Sequence, residues 1–565
     1  IIEQIKKYGF LQAELDKSKE EIIERLKQFK SSEETRSSYS FVREYTRHFT
    51  EDEMISGPEK YLEYTKDILP TITLEDINGY FNNYIKNENQ VLAVKGPESI
   101  DNLPNQDQIN EIKYQVSLKN IEPYEYEIKK VELIKEELKG SKIIKTRFYP
   151  NSDIKKITLE NGAKVYLKKT DFKKDQILFR AYSPGGYSTA SLDILPSAEY
   201  AESILSSANI GDLTLPEKDE LYPTNMLEIY PEIYELSENI SGYTNNAYKE
   251  DFFKLMYINF TDLRVKQHHV DNFKERKIDE LKIEKESPKY EFLVEFYNKF
   301  YNNNKRAAYP TIENYEKINL KDVQEFYEDR FQNSGDFIFA IVGDFKFEEI
   351  EPLILKYIGS LKFKNHKDNF KDQNIRINLG KETVTYEEEN PVKASVGRYY
   401  NKEFNNTFSE RLKNRILFSI IDKLMFNEIR EKNKLVYSSY ASEFFSQKYP
   451  RELISISMGY GSDPSNIDKI NNEIDKILKN VKQKNFDHKI FENQKLSLIK
   501  DYEESLNRNY HWINAIIRSE RSNENIERVN FYKQIINQIT INDIAKLARK
   551  YFDEKYFETI ELIKE

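Results

Sequence analysis

The sequence contains no cysteine. Disulfides, thiolate nucleophiles and sulfur-ligated metals are therefore excluded, and composition leaves the redox compartment open. Histidine is scarce: the six are His48, His268, His269, His366, His488 and His511. None forms the His-x-x-Glu-His pattern in either direction, so no helix here presents two imidazoles on one face for a zinc. The adjacent His268 and His269 are expected on different helix faces. No apolar run approaches the ~20 residues that a membrane span needs. Lys and Arg number 86 against 96 Asp and Glu, a formal charge of −10 without a long basic stretch, so no nucleic-acid surface is indicated. Pairs such as Lys168-Lys169 and Lys173-Lys174 read as solvated faces. No Ser/His/Asp or Cys/His nucleophile arrangement is visible. Gly459-Tyr460-Gly461-Ser462-Asp463-Pro464 lacks the third glycine and the Lys-Ser/Thr of a phosphate loop, and reads as a helix start with Asp463 as N-cap.

What is present is ample material for globular packing: 39% hydrophobic and 13% aromatic residues in a chain long enough for three or four domains. An internal repeat organises it. Ile72-Thr73-Leu74-Glu75-Asp76-Ile77 recurs as Ile318-Asn319-Leu320-Lys321-Asp322-Val323 and as Ile539-Thr540-Ile541-Asn542-Asp543-Ile544. Each copy predicts a helix capped by Thr or Asn, then a short apolar strand at Val91–Val94, 337–342 and Phe557–Ile563. The first two strands end at Gly96 and Gly343. Amphipathic helices precede the copies at 13–30, 268–285 and 487–503. The second and third copies thus close domains of ordinary size, whereas the first has about half that length before it and reads as the end of a domain begun elsewhere.

Prolines and dense charge over 98–150 predict a linker. A new domain opens at Ile157–Leu167, where Asn161-Gly162 between alternating apolar residues predicts a hairpin. A strand at 177–182 ends in Ser183-Pro184-Gly185-Gly186. The last domain has strands at 394–400 and 452–458. Helices and strands mix without βαβ alternation, so the fold class is α+β. The expected layout is 1–105, the later part of a second domain; 106–150, linker; 151–370, a third domain; and 371–565, a fourth.

Leu159-Glu160-Asn161-Gly162 through Ser183-Pro184-Gly185-Gly186, Val342-Gly343-Asp344-Phe345, and Ile429-Arg430-Glu431-Lys432-Asn433-Lys434-Leu435-Val436-Tyr437-Ser438 together resemble the pitrilysin family of zinc proteases, its bacterial periplasmic branch in particular. The resemblance implies four similar α+β domains in two halves that close on a peptide. Zinc would sit in a first domain, with the Glu of the family motif as general base. This chain would supply the C-terminal part, hold no metal, and meet an N-terminal half or an active partner subunit and a peptide or unfolded-protein substrate. The periplasm or cell envelope is the implied location. Where an active domain carries the zinc motif, this sequence reads Pro196-Ser197-Ala198-Glu199-Tyr200-Ala201-Glu202-Ser203, so Glu199 and Glu202 are expected as ordinary exposed helix charges.

The same resemblance assigns Tyr437 to the oxyanion of the scissile carbonyl and Arg430 to substrate backbone. Without it, Arg430 would serve as a cation at a helix C-terminus and Tyr437 as one of 40 tyrosines packing in a core. The alternative function is a catalytically inactive partner or peptide-binding module; a weaker third is a clam that captures a folded partner.

Overall fold

The computed structural model describes residues 2–85, 91–94, 103–124, 131–222, 226–332, 334–363, 369–378, 380–445, 452–553 and 555–564. Residues 2–124 are helical among those described, with helices Gln12–Ser31, Ser38–Glu51, Gly57–Ile68, Leu74–Tyr84 and Gln106–Leu118. The three repeat copies all start helices through the same device. The side chains of Thr73, Asn319 and Thr540 accept from the backbone N–H of Asp76, Asp322 and Asp543, three residues on. In the first and third copies the Asp carboxylate returns a bond to the cap residue's N–H.

One expectation in this region needs correction. No strand forms at Val91–Val94, and Val91 is 95% exposed. Four apolar residues become a strand only when a neighbouring ladder takes their N–H and C=O groups, and no strand among the described residues pairs with them. Gly96 lies outside the described residues. The segment expected as linker also carries structure of its own: the Gln106–Leu118 helix, side chains of Leu133, Ile134 and Leu138 packed on a core, and an outer strand.

That strand is β1 (Ile143–Tyr149), followed by β2 (Ile154–Leu159), β3 (Lys164–Lys169), β4 (Ile177–Pro184), the short β5 (Asn209–Ile210), β6 (Leu227–Ile233), β7 (Ser237–Thr244), the short β8 (Leu263–Arg264) and β9 (Ile338–Gly343). The order β1-β2-β3-β9-β4-β7-β6 makes one sheet, and β5-β8 a small ladder. The Asn161-Gly162 hairpin joins β2 to β3 as expected, with Asn161 Nδ2 donating to the carbonyl of Ile358 at 3.0 Å. A second sheet, β10-β14-β11-β13-β12, comprises β10 (Glu382–Glu387), β11 (Lys393–Glu403), β12 (Val436–Phe445), β13 (Leu453–Ser462) and β14 (Phe557–Ile563).

The two sheets repeat one plan. In β3-β9-β4-β7-β6 and in β10-β14-β11-β13-β12 the first pair is parallel and the rest antiparallel. Gly459–Ser462, expected as part of a helix start, belongs instead to β13; Asp463 does cap the turn Pro464–Asn466 that leads into the helix.

Helices cover one face of each sheet, around cores that include Phe252, Phe260 and Phe339 in the first and Ile416, Ile420 and Ile456 in the second. The opposite faces are covered reciprocally. Helix Asn509–Arg521 lays Trp512, Ile513, Ile516 and Ile517 on Tyr166, Leu178 and Ala340 of the first sheet. Helix Lys289–Phe300 lays Phe292 and Phe300 on Val384, Tyr386 and Phe557 of the second. Lys168, read above as solvated, lies under this packing. It is 6% exposed, its Nζ donates to the Ser152 carbonyl at 2.6 Å, and it sits 4.1 Å from the Trp512 ring centroid. Its stem supplies apolar surface and its head finds a carbonyl and a π face, which is why a cation is tolerated there.

His511, beside Trp512, is held neutral: burial, then the charge of Arg518, push its pKa down to about 4. The groups facing it are Ser505, Tyr502, Trp512 and Arg518. An unfolded histidine titrates near ~6.5. Between there and 4 the unfolded chain holds the proton and the folded chain does not, so stability present above ~6.5 is lost as pH falls through 4. His511→Gln is expected to remove about 2–3 kcal/mol of that acid sensitivity. Melting temperatures of the two proteins between pH 7 and 4 check it, and parallel curves would refute it.

Candidate functional site

The site grows out of one helix. Thr407 caps Phe408–Met425, accepting from Glu410 N–H, and the buried Leu412, Ile416, Ile420, Leu424 and Met425 anchor it. The helix then widens into a π-helical turn, Phe426–Lys432. Leu435 N–H bonds the Ile429 carbonyl at 3.0 Å, Asn433 Nδ2 donates to the Glu428 carbonyl at 2.8 Å, and Lys434 adopts φ 53°. A wide turn of this kind is uncommon and is found at functional positions more than elsewhere. It buries Ile429 and turns Arg430 outward, with the guanidinium 5.3 Å from the Phe426 ring centroid.

Two residues after Lys434 the chain enters β12 through an irregularity. Val436 pairs with Ser462 and Ser438 with Gly461, so Tyr437 is the extra residue of a β-bulge. Its ring is 64% exposed, not packed in a core. Neither Arg430 nor Tyr437 has a side-chain hydrogen bond or ion pair among the described residues. Both are offered to solvent from the same π-turn and bulge.

β12 is also the outer strand of its sheet. The other outer strands are guarded: β1 carries Lys145 and Arg147, β10 carries Glu382 and Glu387, and β6 carries Pro231 with Glu228 and Glu232. β12 has neither Pro nor Lys, its one charged residue, Glu443, is half-buried, and it exposes Tyr440 and Phe444 along with Tyr437. An unguarded apolar edge invites pairing with another chain. One N–H on it, that of Ala441, is taken by Asp422 of the helix at 3.0 Å. In the first sheet Glu202 takes Ile233 N–H in the same way, also at 3.0 Å.

That bond decides what the Glu199/Glu202 segment can do. The helix is broken at Tyr200 into Leu195–Glu199 and Ala201–Leu205. Glu202 is committed to a backbone N–H, and Glu199 lies near Arg306, which donates to the carbonyls of Tyr187 and Ala190 at 2.8 and 3.0 Å. Burial raises the pKa of both carboxyls. They are half-buried and engaged, not exposed as expected. With no imidazole beside them they do not fit a zinc ion. His268 and His269 also depart from expectation: their ring centroids are 4.1 Å apart, because His269 Nδ1 turns back to accept from Lys266 N–H. His48 and His488 engage the carbonyls of Glu53 and Lys484, and His366 lies outside the described residues. Among the described residues no three His, Cys, Asp or Glu side chains converge as a metal site.

The sequence reading missed Asp422 and an arginine group on the same helix system. Arg411 and Arg415 stand one helical turn apart, as do Arg518 and Arg521, and that spacing was the available signal.

Two α+β units that repeat one five-stranded plan define a pitrilysin-type peptidase fold. The chain is similar to the pitrilysin, or M16, peptidase family. Residues 317–498 match the family model described as the peptidase M16 inactive domain. The chain is 22% identical over 365 residues to a zinc protease PQQL-like protein of Arabidopsis thaliana, covering 64% of this chain and 36% of that protein. It is 21% identical over 431 residues to the probable zinc protease PqqL of Haemophilus influenzae, covering 72% and 43%. It thus spans less than half the length of these relatives. Its fold is similar to that of the periplasmic protease PqqL of Escherichia coli, with a TM-score of 0.69 at 17% identity, over 100% of this chain and 62% of that one.

Proposed function

We propose that this chain is the C-terminal part of a two-part zinc endopeptidase of the bacterial periplasm that encloses peptides or unfolded proteins. Residues 1–105 are the closing part of a second domain, 106–150 the connection, and 151–370 and 371–565 the third and fourth domains. In this reading the zinc belongs to a preceding half or to an active partner subunit. The contribution of this chain is substrate contact. The observation that carries the reading is Tyr437, an exposed phenol without a side-chain hydrogen bond among the described residues, set in a bulge that follows the π-turn carrying the exposed Arg430. A phenol O–H so placed donates to a carbonyl oxygen as negative charge builds on it, and a guanidinium takes a peptide carbonyl already in the ground state. The unguarded edge of β12 gives an extended substrate backbone a place to run alongside both.

Purified alone, the chain is expected to hold no stoichiometric zinc and to leave peptides uncut. Elemental analysis finding one tightly held zinc per chain would overturn this. The assignment of Tyr437 is tested by its Phe variant in the complete protease.

A further inference from the structure

Every copy of the repeat ends in the same run of helices. The run is Gln12–Ser31, Ser38–Glu51, Gly57–Ile68 and Leu74–Tyr84 in the first copy, and Gln267–Lys285, Lys289–Phe300, Ile312–Lys317 and Leu320–Phe331 in the second. In the third it is His488–Ser505, Asn509–Arg521, Tyr532–Gln538 and Ile541–Tyr551. In the second and third copies, the helix after the long one is the helix that covers the neighbouring repeat's sheet. Its apolar residues keep one spacing: counted from the helix start, Phe292, Leu293 and Phe296 hold the places of Trp512, Ile513 and Ile516. In the first copy Phe41, Val42 and Tyr45 hold those places, and a tyrosine stands second in all three helices, at Tyr39, Tyr290 and Tyr510.

The pattern is shared but the burial is not. Trp512, Ile513 and Ile516 are buried against the first sheet, and Phe292 against the second, with Leu293 and Phe296 partly buried beside it. Ser38–Glu51 is a well-formed helix, with Ser37 as its cap, and it buries no residue. Phe41, Val42, Tyr45 and, one turn further along the stripe, Phe49 are exposed, Phe49 to 88%. An apolar stripe along one face of a helix is suited to lie on a core or a partner.

Among the described residues no sheet is left to receive it. Both sheets already carry a helix from the other repeat, so a second copy of this chain offers no bare face either. The covering is reciprocal and joins consecutive repeats, the second with the third. The consecutive neighbour left to the first repeat is the unit before it, and the relatives, of which this chain spans less than half, are long enough to contain one. We propose that Ser38–Glu51 docks on the sheet of that preceding unit, on the face opposite the unit's own helices. The proposal rests on the reading of this chain as the C-terminal part of a two-part protease, and makes this helix its hold on the half that carries the zinc.

The complete protein and the isolated chain together test the docking. The sequence has no cysteine, so Tyr45→Cys sets a thiol whose maleimide labelling is followed by mass on its own peptide. Labelling is expected to be at least about tenfold slower in the complete protein than in the isolated chain. With benzoylphenylalanine in place of Tyr45, illumination of the complete protein is expected to join this position to strands of the preceding unit. Zinc content and peptide cleavage of the same preparations report separately on the protease reading. Equal labelling in the two proteins, slow labelling already in the isolated chain, or a cross-link only to strands of the first repeat itself would each overturn the docking, even in an active zinc enzyme. Protection and the expected cross-link in a complete protein without zinc would uphold the docking and overturn the protease reading.

Discussion

Changing Tyr437→Phe in the complete protease is expected to lower kcat by roughly two to three orders of magnitude while KM stays nearly constant. The substitution removes one hydroxyl and leaves the ring. That ring is 64% exposed at a bulge, so losing the hydroxyl opens no cavity and the folded state is little affected. A donor engaged only as charge develops on the carbonyl oxygen contributes to the transition state and not to the ground state, which places its loss in kcat. Arg430→Ala is expected to raise KM as well, because its contact to peptide backbone exists before the bond breaks. Steady-state kinetics on one fluorogenic peptide separate the two signatures. A Tyr437→Phe enzyme within about threefold of wild type would sink the assignment.

The largest stability effect is expected at Gly343, where β9 ends. Its φ is 149°, and a Cβ added there would lie 2.0 Å from the carbonyl oxygen of Gln176. That oxygen cannot retreat, since it accepts from Asp344 N–H at 2.8 Å, while the Gly343 carbonyl accepts from Thr170 N–H at 2.8 Å. Gly343→Ala must therefore break the end of a central strand or force its backbone aside, at about 3–5 kcal/mol. Gly79→Ala serves as the control: a Cβ there meets nothing within 4 Å, and alanine suits the middle of the Leu74–Tyr84 helix, for a gain of about 0.5–1 kcal/mol. Thermal melts of the three proteins decide it. A Gly343→Ala protein melting with the wild type would show that the strand end yields cheaply.

What was legible in the sequence was whatever local chemistry decides. Thr73, Asn319 and Thr540 announce their helices because a cap needs only a side-chain oxygen and an N–H three residues on. Asn161-Gly162 announces its hairpin for a similar reason. Elements that depend on a distant partner were hidden. β1 carries Lys145 and Arg147 outward and pairs only with β2, so its sequence resembles a charged linker. Val91–Val94 is the reverse case, apolar enough for a strand and without a neighbour. At the site, Arg430 and Tyr437 were picked out by family resemblance, since an arginine and a tyrosine seven residues apart carry no signal of their own. The π-turn and the bulge that expose them depend on hydrogen bonds no residue pattern reveals. Glu202 and Asp422 were out of reach for the same reason, each being defined by an N–H on a strand far along the chain.

The exchange of helices between the sheets has a consequence for the energetics of the whole. Lys289–Phe300 and Asn509–Arg521 each follow the long helix of their own repeat and each roofs the other repeat's sheet. Taken singly, either repeat would leave one sheet face wet and one aromatic helix without a surface to cover. The pair therefore behaves as a clasp, in which each member closes the other, and cooperativity runs across the boundary between repeats instead of stopping at it. A duplicated unit joined in this way cannot drift apart by losing one side's stability alone, because the side that weakens takes its partner's roof with it.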